Sequence, residues 1–197
     1  MDVEQSQPGF DPLVEFEGVW TTELAEQYLP IPGAPPSKYE CVDGDLIMSP
    51  RENTANSFAA GELHAFFRVP AREAGFRAYP AVNVKFSDKT WIEPDLVVAA
   101  KAFHHETWVD AADLIMPVEF VSPSSRRKDR VDKPARCAAA GIPYFMRVEV
   151  DYDDVLIELL QLRGGDYRSH ALGKSGEVFE MDLPFPLSFD PASLLEY

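Results

Sequence analysis

The sequence predicts an α/β (α+β) fold in which a mixed central β-sheet is flanked by helices. Short segments with alternating apolar and polar residues recur along the chain, and this period of two is typical of half-buried strands. Residues 53–73 instead carry apolar side chains at helical intervals, and the alanine-rich residues before Gly141 favour helix by composition. Strands that flank two helices indicate a layered, mixed architecture.

Length and composition indicate one folded domain. The chain has 197 residues, of which 46% are apolar, and this content is too high for a disordered protein. We predict a flexible acidic arm at residues 1–18 and one domain at residues 19–197. The first residues are acidic and polar, and no apolar run reaches the roughly 18 to 20 residues that cross a membrane. We therefore expect a cytoplasmic protein with no membrane partner.

The first part of the chain predicts a short helix and a hairpin. Thr21 or Thr22 caps a helix that a proline-rich connector ends. Two short apolar runs surround Asp43-Gly44 in KYECVDGDLIMSP, and this dipeptide is a strong signal for a hairpin turn. Glu40 is therefore expected on a strand.

The middle of the chain predicts a long helix followed by a second hairpin. The helix runs from about Asn53 to Glu73, with Pro70 as a candidate break in its last turn. Alternation resumes in FRAYPAVNVKF, a turn follows at Ser87–Lys89, and the returning strand is WIEPDLVVAA. Asp95 lies where this last segment becomes continuously apolar.

The second half predicts a buried strand, a basic helix and several further strands. The nearly continuous apolar run is LIMPVEFV, which is typical of a strand buried on both faces but contains Glu119. The basic segment after it predicts a helix that begins between Asp129 and Asp132, because Pro134 is tolerated only near a first turn. Further strands are expected in YFMRVEV, VLIELLQL, YRSHAL and FPLSF, with Gly164-Gly165 as a turn.

Three carboxylates fall on predicted strands, namely Glu40, Asp95 and Glu119. Partly buried acids repel one another unless a cation joins them. Oxygen ligands of this kind select Mg²⁺ or Mn²⁺, and these ions activate water for attack on a phosphodiester. The pattern therefore indicates metal-assisted phosphodiester hydrolysis. The structural alternative is a buried ion pair of Asp95 and Glu119 with Lys133 or Arg136.

Three segments in this order resemble a known family, namely YECVDGDLIMSP, EPDLVV and PVEFVSPSSRRKDRVDKPARCAAAGIPYFMRVE. They are similar to the Uma-type family, also catalogued as domain of unknown function 820, within the PD-(D/E)XK nuclease superfamily. The likeness begins at about Thr21, and the residues from Pro117 to Glu149 match in order and spacing. It implies a restriction-endonuclease-like fold and an endonuclease that cleaves DNA with Mg²⁺ or Mn²⁺. A homodimer would suit cleavage of both strands of a duplex.

The resemblance also implies a role for each site residue. Asp95 and Glu119 are the metal-binding acids. The main-chain carbonyl of Val121 completes the metal site, and Glu40 is an accessory acid. Val121 also stands where the superfamily has a lysine, and Lys133 on the following helix is the expected substitute. An ammonium beside the attacking water stabilises hydroxide and the developing charge, so Asp95, Glu119 and Lys133 are the candidate catalytic residues.

The basic segment after Glu119 is the candidate contact with DNA. Arg126, Arg127 and Arg130 are predicted to bind phosphates, although acidic residues interrupt the cluster and a solvated helix face is the alternative. The net charge of −15 opposes binding to nucleic acid, which usually leaves a basic footprint on a domain. The alternative function is therefore a catalytically inactive nuclease-fold protein that binds a protein partner through its acidic surface.

Two other groups of residues, a His-His-Glu run and the two cysteines, are interpreted as structural rather than functional. Neighbouring residues on a helix point about 100° apart, so His104-His105-Glu106 is assigned to the surface rather than to a metal site. Cys41 and Cys137 show neither a disulfide framework nor a zinc pattern. We interpret both as buried apolar thiols rather than nucleophiles.

Overall fold

The computed structural model describes residues 9–122 and 125–196. Within these ranges, the residues up to Arg51 form one compact unit with Lys85–Glu93, and Glu52–Val84 form a second with the residues from Pro94 onward. The α-helices are α1 (Pro12–Glu15), α2 (Thr22–Tyr28), α3 (Thr54–Glu73) and α4 (Lys133–Ala139). The strands are β1 (Ser37–Val42), β2 (Asp45–Pro50), β3 (Arg77–Pro80), β4 (Asn83–Ser87), β5 (Thr90–Ile92), β6 (Leu96–Ala99), β7 (Trp108–Asp110), β8 (Leu114–Phe120), β9 (Tyr144–Asp151), β10 (Asp154–Arg163), β11 (Asp166–Lys174), β12 (Phe179–Met181) and β13 (Leu187–Phe189). Other helical turns lie at Ala111–Asp113, Lys128–Asp132 and Pro191–Leu195.

The first unit is built around a hairpin. Strands β1 and β2 pair antiparallel with Val42 opposite Asp45, which leaves Asp43-Gly44 as the predicted two-residue turn. Gly44 has a φ of +97°, and a Cβ at this position would lie 2.4 Å from the carbonyl oxygen of Gly18. Both the backbone conformation and this close approach therefore require glycine. Strands β2, β1, β5 and β4 are hydrogen-bonded neighbours in that order.

Two buried tryptophans anchor the core of the first unit. Trp20 precedes α2, which is the predicted short helix, and the Thr21 hydroxyl caps α2 by accepting from Leu24 N at 3.2 Å. Trp91 lies on β5, and its indole N–H donates to the Tyr39 carbonyl at 2.8 Å. The indole is thereby buried with its polar edge satisfied.

The predicted N-terminal arm is described in part. Residues 1–8 lie outside the described residues. Residues 9–18 contain α1, and the rings of Phe10 and Phe16 lie 5.6 Å and 4.9 Å from the ring of Tyr28 on α2. The proposed boundary at residue 18 stays a prediction.

The second unit contains a six-stranded sheet in the order β11-β10-β9-β8-β6-β3. Strands β8 and β9 run parallel, and the other neighbouring pairs run antiparallel. Helix α3 packs on one face of this sheet through Ala59, Leu63, Phe67 and Ala71, which are fully buried and recur every fourth residue. The predicted mixed sheet flanked by helices is therefore confirmed.

Helix α3 has the predicted bounds, but the candidate break at Pro70 does not occur. Asn53 caps the helix, with its Oδ1 accepting from Asn56 N at 2.9 Å. Pro70 lies inside the helix, which continues to Glu73, and Ala74 N still donates to the Pro70 carbonyl at 3.0 Å. The proline removes one donor in the last turn, and the bonds that follow it are retained.

The helix after β8 begins earlier than predicted. The backbone is helical from Arg126, widens into a π-helical turn at Lys128–Asp132 and continues as α4. Pro134 therefore lies well inside the helical run. It has no N–H to donate to the Arg130 carbonyl, and the Arg147 guanidinium donates to that carbonyl at 3.4 Å instead. The substitute donor and the wider turn accommodate the proline.

The predicted second hairpin is divided between two sheets. Strands β4 and β5 flank the predicted turn at Ser87–Lys89, but β5 ends at Ile92 and β6 begins at Leu96 in the six-stranded sheet. Pro94 lies between them, where a residue without an N–H cannot continue a ladder. The predicted strand FRAYPAVNVKF is likewise two strands, β3 and β4, which belong to different sheets. Strands β7 and β12 escaped prediction because three residues are too few to show a period. None of the described helices is long and apolar enough to cross a membrane.

Candidate active site

Glu119 lies on β8, and Asp95, which was predicted on a strand, lies in the bend directly before the neighbouring strand β6. Strands β6 and β8 pair antiparallel with Leu96 opposite Val118, and continuing this register by one residue brings Asp95 beside Glu119. Asp95 Oδ2 accepts a hydrogen bond from the Phe120 N–H at 2.7 Å. This bond holds the Asp95 carboxylate against the end of β8.

Both carboxylates lie on the face of the sheet opposite α3. Leu96, Val118 and Phe120 belong to the core under α3, and side chains alternate between the two faces along a strand. Asp95 and Glu119 therefore point to the other face. They are nevertheless buried, with 8% and 2% of their surface exposed. In such a setting the interaction of a carboxylate with a cation is stronger than in water.

Lys133 reaches Glu119 from helix α4. Its Nζ lies 2.9 Å from Glu119 Oε1 and 3.3 Å from Asp129 Oδ1. Both Lys133 and Asp129 are buried. The ammonium therefore bridges a carboxylate of the sheet and a carboxylate of its own helical segment, and the structure brings together the two residues that the sequence predicted to meet.

Asp129 is the member of this group to which the sequence analysis gave no role, although its four-residue spacing from Lys133 was visible. In the sequence it stands as one acid within a basic segment. The available signal was its spacing from Lys133, because residues four apart are neighbours on a helical surface. Spacing does not indicate burial, which depends on how the helix packs against the sheet.

The backbone around the end of β8 faces two different neighbours. Val121 N donates to Val148 O at 2.8 Å, on the side of β9, whereas Phe120 N donates to Asp95. The N–H and C=O of an extended residue point to the same side of a strand. The carbonyl on the Asp95 side is therefore that of Phe120, whereas the sequence resemblance assigned the metal-binding carbonyl to Val121.

Glu40, the predicted accessory acid, lies on β1 in the first unit. It is buried, and its Oε1 accepts a hydrogen bond from Glu93 N at 3.2 Å. Burial raises the pKa of the Glu93 carboxyl, and the nearby cations Lys38 and Arg51 oppose this effect. The role of Glu40 as a metal ligand stays a prediction.

The three arginines predicted to contact DNA have different surroundings. Arg126 is exposed, and Arg127 is exposed with its Nε 3.8 Å from Asp132 Oδ2. Arg130 donates to Glu149 Oε1 through two nitrogens, at 3.0 Å and 2.6 Å. Arg126 and Arg127 therefore present exposed guanidinium groups, whereas a carboxylate of β9 engages Arg130.

The cysteines and histidines weighed in the sequence have structural surroundings. Burial raises the pKa of the Cys137 thiol, and the charge of Glu119 adds to the effect, so the reactive thiolate is disfavoured. Cys41 is buried and also a free thiol. At His104-His105-Glu106, the glutamate carboxylate accepts from the two histidine backbone N–H groups at 2.6 Å and 2.9 Å. All three residues are exposed, as predicted.

The carboxylates of the second unit suit a hard divalent cation. Asp95, Glu119 and Asp129 supply three carboxylates beside the single ammonium of Lys133, which is an excess of two negative charges among these four buried side chains. Among residues 9–122 and 125–196, no group of three or more His, Cys, Asp or Glu side chains is placed to hold a metal ion. Mg²⁺ commonly takes only one or two protein carboxylates and keeps several waters. Asp95 and Glu119 are the two carboxylates of this group that could hold such an ion.

This fold and site define the class of protein. A mixed sheet that brings one carboxylate from a strand, a second from the start of the neighbouring strand and a lysine together corresponds to the restriction-endonuclease-like nucleases. The model of the Uma2 family, described as "Putative restriction endonuclease", matches residues 25–194. The chain belongs to this family, and the resemblance seen in its sequence is confirmed.

A solved structure supports the same fold. The crystal structure of "a putative nuclease belonging to DUF820" from Anabaena variabilis ATCC 29413 is similar, with a TM-score of 0.61. The similarity covers 86% of this chain and 96% of that chain, at 16% sequence identity, and therefore concerns the fold. No curated protein matches the chain. The predicted restriction-endonuclease-like fold is confirmed.

Proposed function

We propose that the chain is an endonuclease that hydrolyses DNA phosphodiester bonds with Mg²⁺ or Mn²⁺. The observation that carries this proposal is the pair of buried carboxylates, Asp95 and Glu119, with the Lys133 ammonium 2.9 Å from Glu119. The family and the fold point to a nuclease. The carboxylates and the ammonium support the chemistry.

Asp95 and Glu119 would hold the metal, with the Phe120 carbonyl as a third protein oxygen in place of Val121. Phe120 is favoured because its N–H donates to Asp95, which places its carbonyl on the same edge of β8. When bound, the ion would supply an activated water and neutralise charge at the phosphate. The strands contribute by keeping both carboxylates fixed in a buried position.

Lys133 would stabilise the attacking hydroxide and the charge that develops on the phosphate. Its ammonium is a compact donor on a flexible stem, so it can reach the site from a helix. A preorganised donor in a buried site contributes about 10²- to 10³-fold to a rate. Val121 cannot supply this function, because its side chain carries no donor.

DNA would approach beside the exposed side chains of Arg126 and Arg127. The net charge of −15 repels a polyanion at long range, so local cations must compensate. We also propose a homodimer, since two sites are needed to cut both strands in one encounter. A cytoplasmic location would keep the free thiols of Cys41 and Cys137 reduced.

A catalytically inactive module that binds a protein partner is the second candidate, and the charge of −15 favours it. In that case Glu119, Lys133 and Asp129 would form a purely structural ion-pair group. The two candidates differ in their response to divalent metal.

The test is nicking of supercoiled plasmid. The wild type should nick plasmid with Mg²⁺ or Mn²⁺ and should be inactive in EDTA. Asp95→Asn should lower the rate on the order of 100-fold, because its amide oxygen can still accept from Phe120 N while the charge that binds the ion is removed. Asp153→Asn, an exposed position in the β9–β10 turn, is the matched control and should retain the wild-type rate.

Metal binding should also be visible without turnover. At a free concentration about ten times the dissociation constant, Mn²⁺ should stabilise the wild type by about 1.4 kcal/mol, or roughly 3 to 6 °C in melting temperature. Asp95→Asn should lose this shift. Wild-type nicking by Asp95→Asn would exclude the mechanism. A wild type that neither nicks plasmid nor responds to either metal would favour the protein-binding module.

A further inference from the structure

Asp129 is a buried carboxylate to which the proposed chemistry assigns no role. It lies in the π-helical turn Lys128–Asp132 and exposes 2% of its surface. Burying an ionised carboxylate is costly unless charges or hydrogen bonds compensate. Its position therefore calls for an explanation in terms of its neighbours.

One neighbour that compensates the charge of Asp129 is the Lys133 ammonium. Asp129 Oδ1 lies 3.3 Å from Lys133 Nζ, and the four-residue spacing within one helical segment sets this contact locally. Glu119, the other carboxylate on the ammonium, belongs to β8 and is also a proposed metal ligand. The contact with Glu119 therefore involves a proposed metal ligand, whereas the contact with Asp129 does not.

We propose that Asp129 is a positioning residue that keeps the Lys133 ammonium in the site when a metal ion draws on Glu119. The proposal rests on the proposed nuclease function. A divalent cation on Glu119 weakens the attraction of that carboxylate for the ammonium and repels the ammonium directly. The lysine stem is flexible, so a contact within its own helical segment limits how far the ammonium can move. Asp129 opposes this movement because the metal does not share its carboxylate.

Two other roles for Asp129 give different results. As a metal ligand, Asp129 would be needed for metal affinity. As a structural charge, it would affect stability but not turnover per folded molecule. A positioning residue affects the location of Lys133 and the turnover number while leaving metal affinity and the KM for DNA nearly unchanged.

The experiment compares Asp129→Asn and Asp129→Glu with Asp132→Asn. Asp132 lies in the same π-helical turn with half of its side chain exposed, so its neutralisation is matched in charge and location. The first readout is acetylation of Lys133 by an N-hydroxysuccinimide ester, followed by peptide mass spectrometry. In Mn²⁺-saturated protein, Asp129→Asn should raise the labelling rate about tenfold or more, because one partner of a buried ion pair is removed. Asp132→Asn should leave it unchanged, and without metal the effect should be smaller because Glu119 still holds the ammonium.

The second readout is cleavage. Asp129→Asn should lower kcat by about 10- to 100-fold, approaching the loss in Lys133→Ala, with KM and Mn²⁺ affinity within about threefold of the wild type. Asp129→Glu keeps the charge and should recover part of both effects, and it serves as the test protein if Asp129→Asn does not fold.

The outcomes separate this proposal from the function on which it rests. Loss of Mn²⁺ binding in Asp129→Asn would make Asp129 a metal ligand, and unchanged labelling with unchanged kcat would make it structural. Either result overturns the positioning role. If even the wild type fails to cleave DNA, the nuclease proposal fails, while the labelling still shows whether Asp129 holds Lys133 in place.

Discussion

The lysine beside the candidate site comes from α4 rather than from β8. The superfamily pattern places it two residues after Glu119, where this chain has Val121. Lys133 Nζ nonetheless lies 2.9 Å from Glu119. An ammonium stabilises charge at a phosphate through its position. The lysine can therefore lie on a helix or on a strand, provided that its ammonium reaches the same place. The strand is then free to carry an apolar residue at a buried position.

The environment of the Tyr167 hydroxyl can be tested through the pH dependence of folding stability. Its hydroxyl donates to the Ile142 carbonyl at 2.8 Å, and burial raises its pKa, with a smaller contribution from Cys137. The folded state therefore keeps the phenolic proton that the unfolded chain releases near pH 10. The stability from this group is fully present below about pH 10 and declines as pH rises further, by up to about 1.4 kcal/mol per pH unit.

The corresponding measurement is urea unfolding between pH 8 and about pH 11. Tyr167→Phe should cost about 1 kcal/mol at pH 8 because it removes the hydrogen bond, but its stability should fall less steeply above pH 10. Tyr152→Phe, at a side chain that is 93% exposed, should follow the wild type throughout. Parallel curves for Tyr167→Phe and the wild type would show that Tyr167 does not retain its proton.

At the scale of elements, the register between β6 and β8 decides the site. Leu96 and Val118 face the core as a pair, so Asp95 and Glu119 share the opposite face. A slip of one residue on either strand would exchange a carboxylate for an apolar side chain on that face. The continuous burial of the pairs around them makes such a slip costly, and the geometry of the carboxylates is protected by the packing of the sheet.

The contact of β11 with β12 depends on Gly173. A Cβ at Gly173 would lie 2.6 Å from Phe179 Cβ and 2.8 Å from Phe179 Cα, so the backbones would have to separate. Gly173→Ala should destabilise the protein by about 1 to 3 kcal/mol, as overpacking of a core does. In α3 a Cβ at Gly61 would meet no atom within 4 Å, so Gly61→Ala should instead stabilise by roughly 0.5 to 1 kcal/mol. Urea unfolding of both variants checks the sign, and stabilisation by Gly173→Ala would contradict this close packing of the two strands.

At the scale of the whole molecule, charge decides how DNA can bind. With a net charge of −15, binding must depend on a few exposed cations. If Arg126 and Arg127 bind phosphates, replacing both by alanine should reduce the slope of log K against log salt by about one unit for each phosphate that is no longer bound. Fluorescence anisotropy with a labelled duplex across a salt series measures this slope.

Arg163, an exposed arginine at the end of β10, is the control for net charge. Its replacement changes the charge as either single arginine variant does, and the slope should stay at the wild-type value. If replacing Arg126 and Arg127 leaves the slope unchanged, the two side chains do not bind phosphates and belong to a solvated helix face. Equal effects at all three positions would indicate a general charge effect rather than binding of particular phosphates.

Much of the architecture was accessible from the sequence. The hairpin turn at Asp43-Gly44 and the bounds of α3 follow from local chemistry, namely turn residues, an N-cap and helical periodicity. The predicted start of the helical segment that leads into α4 was wrong. A π-helical turn and a donor from β9 allow Pro134 to lie inside this segment. Proline rules apply to regular helices, and here the accommodation came from another element.

The sequence by itself determined the mixed α/β class, the strand position of Glu119 and the family, because these depend on local periodicity and on ordered segments, whereas Asp95 lies one residue before its predicted strand begins. Only the tertiary structure decided which polar groups meet. It brought Lys133 to both Glu119 and Asp129, and it directed the Phe120 N–H to Asp95. The physical reason is that strand register and helix packing arise from contacts between residues far apart in the chain, and burial of a charge is a property of that packing rather than of any local pattern.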